Sequence, residues 1–178
     1  MFNKKKYSSI EIITFSGILS AIGIIVNYIE IPYPLVPWLK IDLSEIVVLI
    51  ATLLNIWVAV IVSIVKGLLL LLLKPALPIG NFVLIFGSLT ICISYYFLSK
   101  KFNKMTSLIL MSIIFTVVMV VSNYFIITPI YSGMTFAEAV VQPNYLKGIL
   151  LIYVPFNLFK IILVSIGFYF ISNRLEKE

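Results

Sequence analysis

The chain has 178 residues, of which 62% are apolar and only 11% charged, and its mean hydropathy is +1.16. Soluble domains are about 45–50% apolar and about 25% charged, so this composition excludes a water-soluble fold and makes membrane lipid the expected surroundings. The net charge of +6 is better explained by lysines that orient the chain in a membrane than by nucleic-acid binding.

Six apolar runs predict six transmembrane helices, which use about 120 residues at about 20 residues per span. The runs cover residues 10–29, 43–54, 57–73, 81–98, 105–128 and 148–171. The second and third runs are short, which suggests a tight helical hairpin or helices that tilt or line a cavity. The first run is not followed by the small-residue cleavage site of a signal peptide, so we expect it to remain in the mature protein. We therefore predict one compact all-α domain over residues 1–178.

Prolines mark the connections between these runs. Residues 30–41 contain Pro32, Pro34 and Pro37, so this loop cannot be regular helix. The connection over residues 130–147 is longer than the others. Pro155 either begins the sixth helix or kinks it.

The distribution of cations predicts the orientation, because Lys and Arg in short loops are retained on the cytoplasmic side. One predicted face carries Lys4, Lys5, Lys6, Lys100, Lys101, Lys104, Arg174 and Lys177, and the other carries Lys40, Lys74 and Lys147. Both termini are therefore predicted to be cytoplasmic.

Missing residue types exclude most catalytic and metal chemistry. The chain has no His, which removes metalloprotease, Ser–His and ordinary zinc or haem sites. Asp42 is the single aspartate and Cys92 the single cysteine, so paired-aspartate proteases and disulfides are excluded as well. No ATP-binding P-loop is present. We expect no enzyme, cofactor or metal site, and energy for active transport must come from an ion gradient or another subunit.

Polar residues inside the apolar runs are the candidate functional groups, because an ionisable group in a span is expensive. Lys66 and Lys160 qualify, and Asn157 precedes Lys160 by three residues on the same helix face. Asn123 and Asn81 could add amides to the same cavity. Amide and ammonium groups suit a neutral or weakly acidic polar solute better than a metal ion.

Each candidate also has a purely structural interpretation. A lone Asn in a span, such as Asn27, Asn81 or Asn123, can hydrogen-bond a neighbouring helix. Lys66 could extend to the membrane interface if its helix is short. Asp42 and Glu45 flank the start of the second run, and we expect them to cap its N-terminus. For Asn157 and Lys160 the functional interpretation is favoured.

An ordered series of segments resembles one transporter family. The segments LKIDLSEI, IVKGLL, IGNFVLIFGSL, SNYFIITPIY and YVPFNLFKIIL occur along nearly the whole chain. They resemble the riboflavin-type S components of energy-coupling factor (ECF) vitamin transporters. The resemblance implies a high-affinity riboflavin-binding subunit in a bacterial cytoplasmic membrane. It also implies assembly with a transmembrane coupling subunit and two ATPases, which would account for the missing P-loop.

The resemblance also implies roles for individual residues. Asn123, Asn157 and Lys160 would be the polar ligands of the flavin, with Leu39, Ile41, Asn81 and Lys66 near the pocket. Gly17 and Ala21 would form the small-residue contact with the coupling subunit, although an intramolecular helix contact fits the same spacing.

Three other functions remain open from the residues. The first is an S component for another vitamin, such as pantothenate or a pyrimidine precursor, because the polarity of a pocket does not determine which vitamin it binds. The second is an ion-coupled small-solute carrier in which Lys66 or Glu45 titrates. An intramembrane enzyme is the third and has the least support.

Overall fold

The computed structural model describes residues 7–34, 36–75 and 78–175, so the cations Lys4, Lys5, Lys6 and Lys177 lie outside the described residues. In chain order the elements are α1 (Ser9–Asn27), β1 (Ile31–Tyr33), β2 (Val36–Ile41), α2 (Glu45–Leu54), α3 (Ile56–Leu73), α4 (Pro78–Ser99), α5 (Lys104–Ser122), a π-helical turn (Asn123–Ile127), α6 (Thr128–Tyr131), α7 (Phe136–Val140) and α8 (Tyr145–Leu175).

Five helical segments of the described chain are long and apolar enough to cross a membrane. They are α1, α3, α4, the continuous stretch Lys104–Tyr131, and α8. The prediction of a multi-pass membrane protein is therefore confirmed. All six apolar runs form helices, but α2 has only 10 residues, about 15 Å at 1.5 Å per residue, and cannot cross a bilayer alone.

Contacts at the helix ends fix the directions of the long helices. Lys74 Nζ lies 3.0 Å from Asn27 Oδ1, so the C-terminal ends of α3 and α1 meet. Lys104 Nζ lies 2.7 Å from Asn173 Oδ1, so the start of α5 meets the end of α8. The chain reverses between α3 and α4 and again between α4 and α5. The start of α1 and the end of α8 consequently lie on the same side of the bundle.

A single residue, Asn55, separates α2 from α3. Its backbone is extended, and its side-chain oxygen accepts the N–H of Trp57 at 2.8 Å, which caps the start of α3. The two helices therefore form the tight hairpin that the short second and third runs suggested. Because α2 runs back along the first half of α3, Glu45 lies level with Lys66.

The loop over residues 30–41 contains a β-hairpin, which the all-α prediction missed. Strands β1 and β2 pair antiparallel, with an irregularity in register between Pro32 and Tyr33. Proline is tolerated here because both strands are edges of a two-stranded sheet. Tyr33, Val36 and Ile41 of the hairpin form a buried cluster with Phe156 of α8.

Helix α8 begins ten residues before Pro155, so Pro155 does not begin the sixth helix and lies inside it. The longer connection over residues 130–147 contains the last residues of α6 and the short helix α7. Helix α7 starts with a capping box in which Thr135 and Glu138 exchange hydrogen bonds with each other's backbone N–H.

Close packing of α3 on α4 depends on Gly67. A Cβ added at Gly67 would lie 2.0 Å from Ile85 Cγ1, whereas one added at Gly17 of α1 would meet no atom within 4 Å. We predict that Gly67→Ala destabilises the protein by about 1–3 kcal/mol through overpacking. Gly17→Ala should be neutral or slightly stabilising, because it removes only helix flexibility. Thermal unfolding in detergent checks both, and equal melting temperatures would contradict the packing.

Charged groups hold the base of the hairpin to α1 and α3. Glu30 pairs with Lys74 at 2.5 Å and with Lys40 at 2.6 Å. Partial burial raises the pKa of Glu30, but the two lysines outweigh burial and hold the pKa below its usual 4.5. A lowered pKa stabilises the fold above the unfolded-state value, and this stabilisation is lost as the pH falls through the folded-state value.

We therefore predict that hydrogen exchange of the hairpin amides accelerates when the pH is lowered below about 4.5, after correction for intrinsic exchange. The Glu30→Gln variant should exchange faster at neutral pH and lose this dependence. An unchanged acid response in that variant would assign the response to another group.

Candidate functional site

A buried ion pair joins the end of the hairpin to the middle of α8. Lys160 Nζ lies 2.9 Å from Asp42 Oδ2, and the two side chains are 14% and 6% exposed. Asp42 follows directly after β2, and Lys160 lies half-way along α8. The pair therefore connects two elements that are 118 residues apart in the chain.

A second buried pair lies beside the first. Lys66 Nζ of α3 lies 3.2 Å from Glu45 Oε1 of α2, with exposures of 0% and 3%. The Ser88 hydroxyl of α4 donates to the same Glu45 oxygen at 2.8 Å. Helices α2, α3 and α4 are thus joined by one carboxylate.

Ser44 links the two pairs into one network. Lys66 Nζ donates to Ser44 Oγ at 3.0 Å, and the Ser44 hydroxyl donates in turn to Asp42 Oδ1. We call this group the charge network; its members are Asp42, Ser44, Glu45, Lys66, Ser88 and Lys160.

The charge network is electrically balanced, with two carboxylates and two ammonium groups. An unpaired charge in an apolar interior is very costly, so each member depends on its partner. Gly23 of α1 makes room for the Lys66 side chain, because a Cβ at that position would lie 3.1 Å from Lys66 Cδ. Lys66 does not extend to the membrane interface, and that alternative is wrong.

Asp42 and Glu45 have roles that the sequence analysis did not assign. We expected both to cap α2, but the N-cap residue is Ser44, and it makes no side-chain cap hydrogen bond. Asp42 Oδ1 accepts the backbone N–H of Ser44, and Glu45 lies in the first turn of α2, but both side chains also pair with lysines. Charge balance could have indicated this pairing, because these two residues are the only acidic ones between Glu30 and Glu138.

The predicted pair Asn157 and Lys160 shares one face of α8, and hairpin residues pack against that helix. Asn157 is 2% exposed, and one of its amide N–H groups donates to the Tyr153 carbonyl at 2.8 Å. Leu39 and Ile41 pack in the same cluster as Phe156, the neighbour of Asn157. The structure therefore brings four predicted residues together at the junction of β2 and α8.

Asn123 begins the π-helical turn that follows α5. Its side chain is 4% exposed, and one amide N–H donates to the Met119 carbonyl at 2.8 Å. The turn contacts α8, where the Tyr145 hydroxyl donates to the Tyr124 carbonyl at 2.7 Å. Single π-helical turns within α-helices often occur at functional sites.

Asn81 lies apart from the charge network, at the corner between α3 and α4. Its amide donates to the carbonyls of Leu70 at 3.1 Å and Lys74 at 3.2 Å, at the C-terminal end of α3. Asn27 similarly accepts from Lys74. These contacts match the structural interpretation of a lone Asn in a span.

A separate cavity of about 340 Å³ lies between α4 and the π-helical turn with α6. Its lining is almost entirely apolar and includes side chains exposed on the outer surface of the bundle, such as Phe82 and Ile126. The lining comprises Ile79, Phe82, Val83, Phe86, Ser122, Ile126, Ile127 and Ile130. No member of the charge network lines it.

The family model "ECF transporter, substrate-specific component" matches residues 12–172. The chain belongs to this family. The resemblance to S components found in the sequence is thereby confirmed, and the chain is a transporter component rather than a member of an enzyme class.

The similarity to known relatives extends over most of this S component. It is 35% identical over 171 residues to the riboflavin transporter RibU of Staphylococcus aureus (strain TCH60), covering 93% of this chain and 89% of that protein. It is 31% identical over 174 residues to RibU of Streptococcus thermophilus (strain ATCC BAA-250 / LMG 18311), covering 92% and 82%.

A solved structure described as "Structure and mechanism of the S component of a bacterial ECF transporter" superposes on this S component with a TM-score of 0.79 at 30% identity. The superposition covers 96% of this chain and 98% of that chain.

Helix α1 of this S component has two distinct faces. Small and polar side chains are buried in the bundle at Ser16, Ser20, Gly23 and Asn27. Gly17 and Ala21 are exposed on another face, and nothing lies within 4 Å of a Cβ built at Gly17. The intramolecular contact that their spacing also allowed is therefore not made by Gly17, and contact with a coupling subunit stays a prediction.

Removing one partner of the buried Lys66–Glu45 pair should destabilise the fold far more than removing one partner of an exposed ion pair. We predict that Lys66→Met destabilises the S component by about 3–5 kcal/mol, because Glu45 is left buried without its counter-charge. Lys40→Ala, whose side chain is 47% exposed, should cost about 0–1 kcal/mol. Thermal unfolding in detergent compares them, and Glu45→Gln should restore part of the stability of Lys66→Met. Equal losses for Lys66→Met and Lys40→Ala would contradict the buried pairing.

Proposed function

We propose that this S component is the membrane-embedded, high-affinity riboflavin-binding subunit of an ATP-driven ECF vitamin importer. The observation that carries the proposal is the cluster of Asn157 and Lys160 beside the hairpin, in a chain 35% identical to a riboflavin transporter. Asn123 on the adjacent π-helical turn is the third polar ligand in this proposal.

The chemistry of riboflavin fits these groups. The dimethylbenzene edge of the flavin is apolar and suits Leu39, Ile41 and Phe156, which pack together on the hairpin side of α8. The opposite ring edge and the ribityl chain present several donors and acceptors. Amide side chains both donate and accept, and an ammonium donates up to three hydrogen bonds. An apolar pocket with a few placed polar groups is the usual form of a small-molecule site.

The proposed topology has six crossings, with α2 completing one crossing together with the hairpin. Lys100, Lys101, Lys104 and Arg174 lie at the ends of α4, α5 and α8 that share a side with the start of α1. By the positive-inside rule this side is cytoplasmic in the bacterial cell membrane. The hairpin then faces outward, where the vitamin is captured.

The proposed partners are a transmembrane coupling subunit and two ATPase subunits. The S component has no P-loop of its own, so ATP hydrolysis must occur elsewhere. Gly17 and Ala21 offer a small-residue surface on α1 where a partner helix can approach closely. No cofactor is required, because riboflavin is the cargo.

Riboflavin binding to the purified protein tests the proposal. Titration should quench riboflavin fluorescence with a Kd in the nanomolar range, and pantothenate should not compete. Failure to bind riboflavin together with binding of another vitamin would reassign the ligand. Uptake into proteoliposomes should need the coupling subunit and the ATPases, and uptake by the isolated chain would favour an ion-coupled carrier.

We predict that Asn157→Ala weakens riboflavin binding by about 1–3 kcal/mol, the range for a lost buried hydrogen bond. Asn173→Ala is the matched control, because Asn173 lies on the same helix but bonds Lys104 at the other end. The control should bind riboflavin like the unmodified protein. Equal affinities for both variants would move the site away from the middle of α8.

A further inference from the structure

The Asp42 carboxylate is held from several directions. The backbone N–H and the hydroxyl of Ser44 both donate to Oδ1, and Lys160 donates to Oδ2. Asp42 is 5% exposed. Its two oxygens therefore have fixed partners, and water has little access to the carboxylate.

The direction of the Ser44 hydroxyl follows from its neighbour Lys66. An ammonium is only a donor, so Ser44 Oγ must accept the hydrogen bond from Lys66. A hydroxyl has a single proton, and that proton is then directed at Asp42. Lys66 itself is fixed by Glu45, whose oxygen also accepts from Ser88. Three helices thus determine the position of one carboxylate.

Asp42 occupies only part of the hydrogen-bonding capacity of Lys160. An ammonium carries three N–H groups, and Asp42 accepts one of them at 2.9 Å. This bond fixes the ammonium against the β2 end of the hairpin while the other N–H groups stay directed elsewhere. Asn157, three residues before Lys160, lies on the same face of α8 as Lys160.

We propose that Asp42 is a positioning residue for riboflavin binding, acting through Lys160. It holds the Lys160 ammonium in the orientation that the flavin requires, and Ser44 with Lys66 holds Asp42 in place. The inference rests on the proposed function and deepens it. Because Asp42 comes directly after β2, the same carboxylate also ties the hairpin to the ligand-binding face of α8.

A double-mutant cycle on the full chain in detergent tests the proposal, with riboflavin fluorescence quenching as the readout. Asp42→Asn should raise the Kd by about 10- to 100-fold, the range for a hydrogen bond to a charged group. In a Lys160→Met background the same change should raise the Kd by less than about twofold, since the group it positions is gone. Glu11→Gln is the control, because Glu11 lies in the first turn of α1, whereas the hairpin follows the C-terminal end of that helix. This variant should leave the Kd unchanged.

Ser44→Ala provides a second variant in case Asp42→Asn does not fold. It removes one donor to Asp42 and retains all four charges, so its Kd should rise in the native background and not in the Lys160→Met background. Unfolding without ligand is measured for every variant, so a loss of stability is separated from a loss of affinity.

The outcomes separate this inference from the proposed function. No riboflavin binding by the unmodified protein would overturn the proposed function and this inference with it. Normal riboflavin binding by the unmodified protein and by both variants would overturn the positioning role alone. Equal losses for Asp42→Asn with and without Lys160 would also overturn it, because Asp42 would then act independently of Lys160.

Discussion

The bundle depends on the mutual neutralisation of two lysines and two carboxylates in an apolar interior. Lys66 and Glu45 connect α3 to α2, and Lys160 and Asp42 connect α8 to the hairpin. Ser44 adds hydrogen bonds to Lys66 and Asp42, and Ser88 adds one to Glu45. Apolar packing has little directional preference in a membrane, so these few polar contacts set the register of the elements. The candidate site forms where they converge.

Much of the fold was predictable because apolar length is a strong signal for a membrane span. The six runs were located to within a few residues, and Lys160 with Asn157 was placed correctly on one helix face.

The hairpin was missed because the prolines in this loop exclude a regular helix but do not indicate which residues will pair as strands. The pairing of Asp42 with Lys160 was missed because the two residues are 118 positions apart, beyond any local periodicity.

The candidate asparagines differ in the hydrogen bonds that their side chains already make within the bundle. The amide nitrogen of Asn81 donates to two backbone carbonyls at the end of α3. Asn123 and Asn157 each commit one amide N–H to their own helix and retain further hydrogen-bonding groups. The sequence distinguished Asn157 by its spacing from Lys160, but Asn81 and Asn123 both appear there as single amides within apolar runs.

The ten-residue length of α2 has an electrical consequence. In the proposed topology the helix covers about half of a 30 Å hydrocarbon layer, and the hairpin occupies the other half. Strands at that depth are tolerated only where protein shields them or water reaches them. Because Tyr33, Val36 and Ile41 are buried against Phe156, protein rather than water shields the strands here. In the proposed topology the membrane voltage would therefore fall across the hairpin as well as α2, and the charge network would lie part-way through that drop.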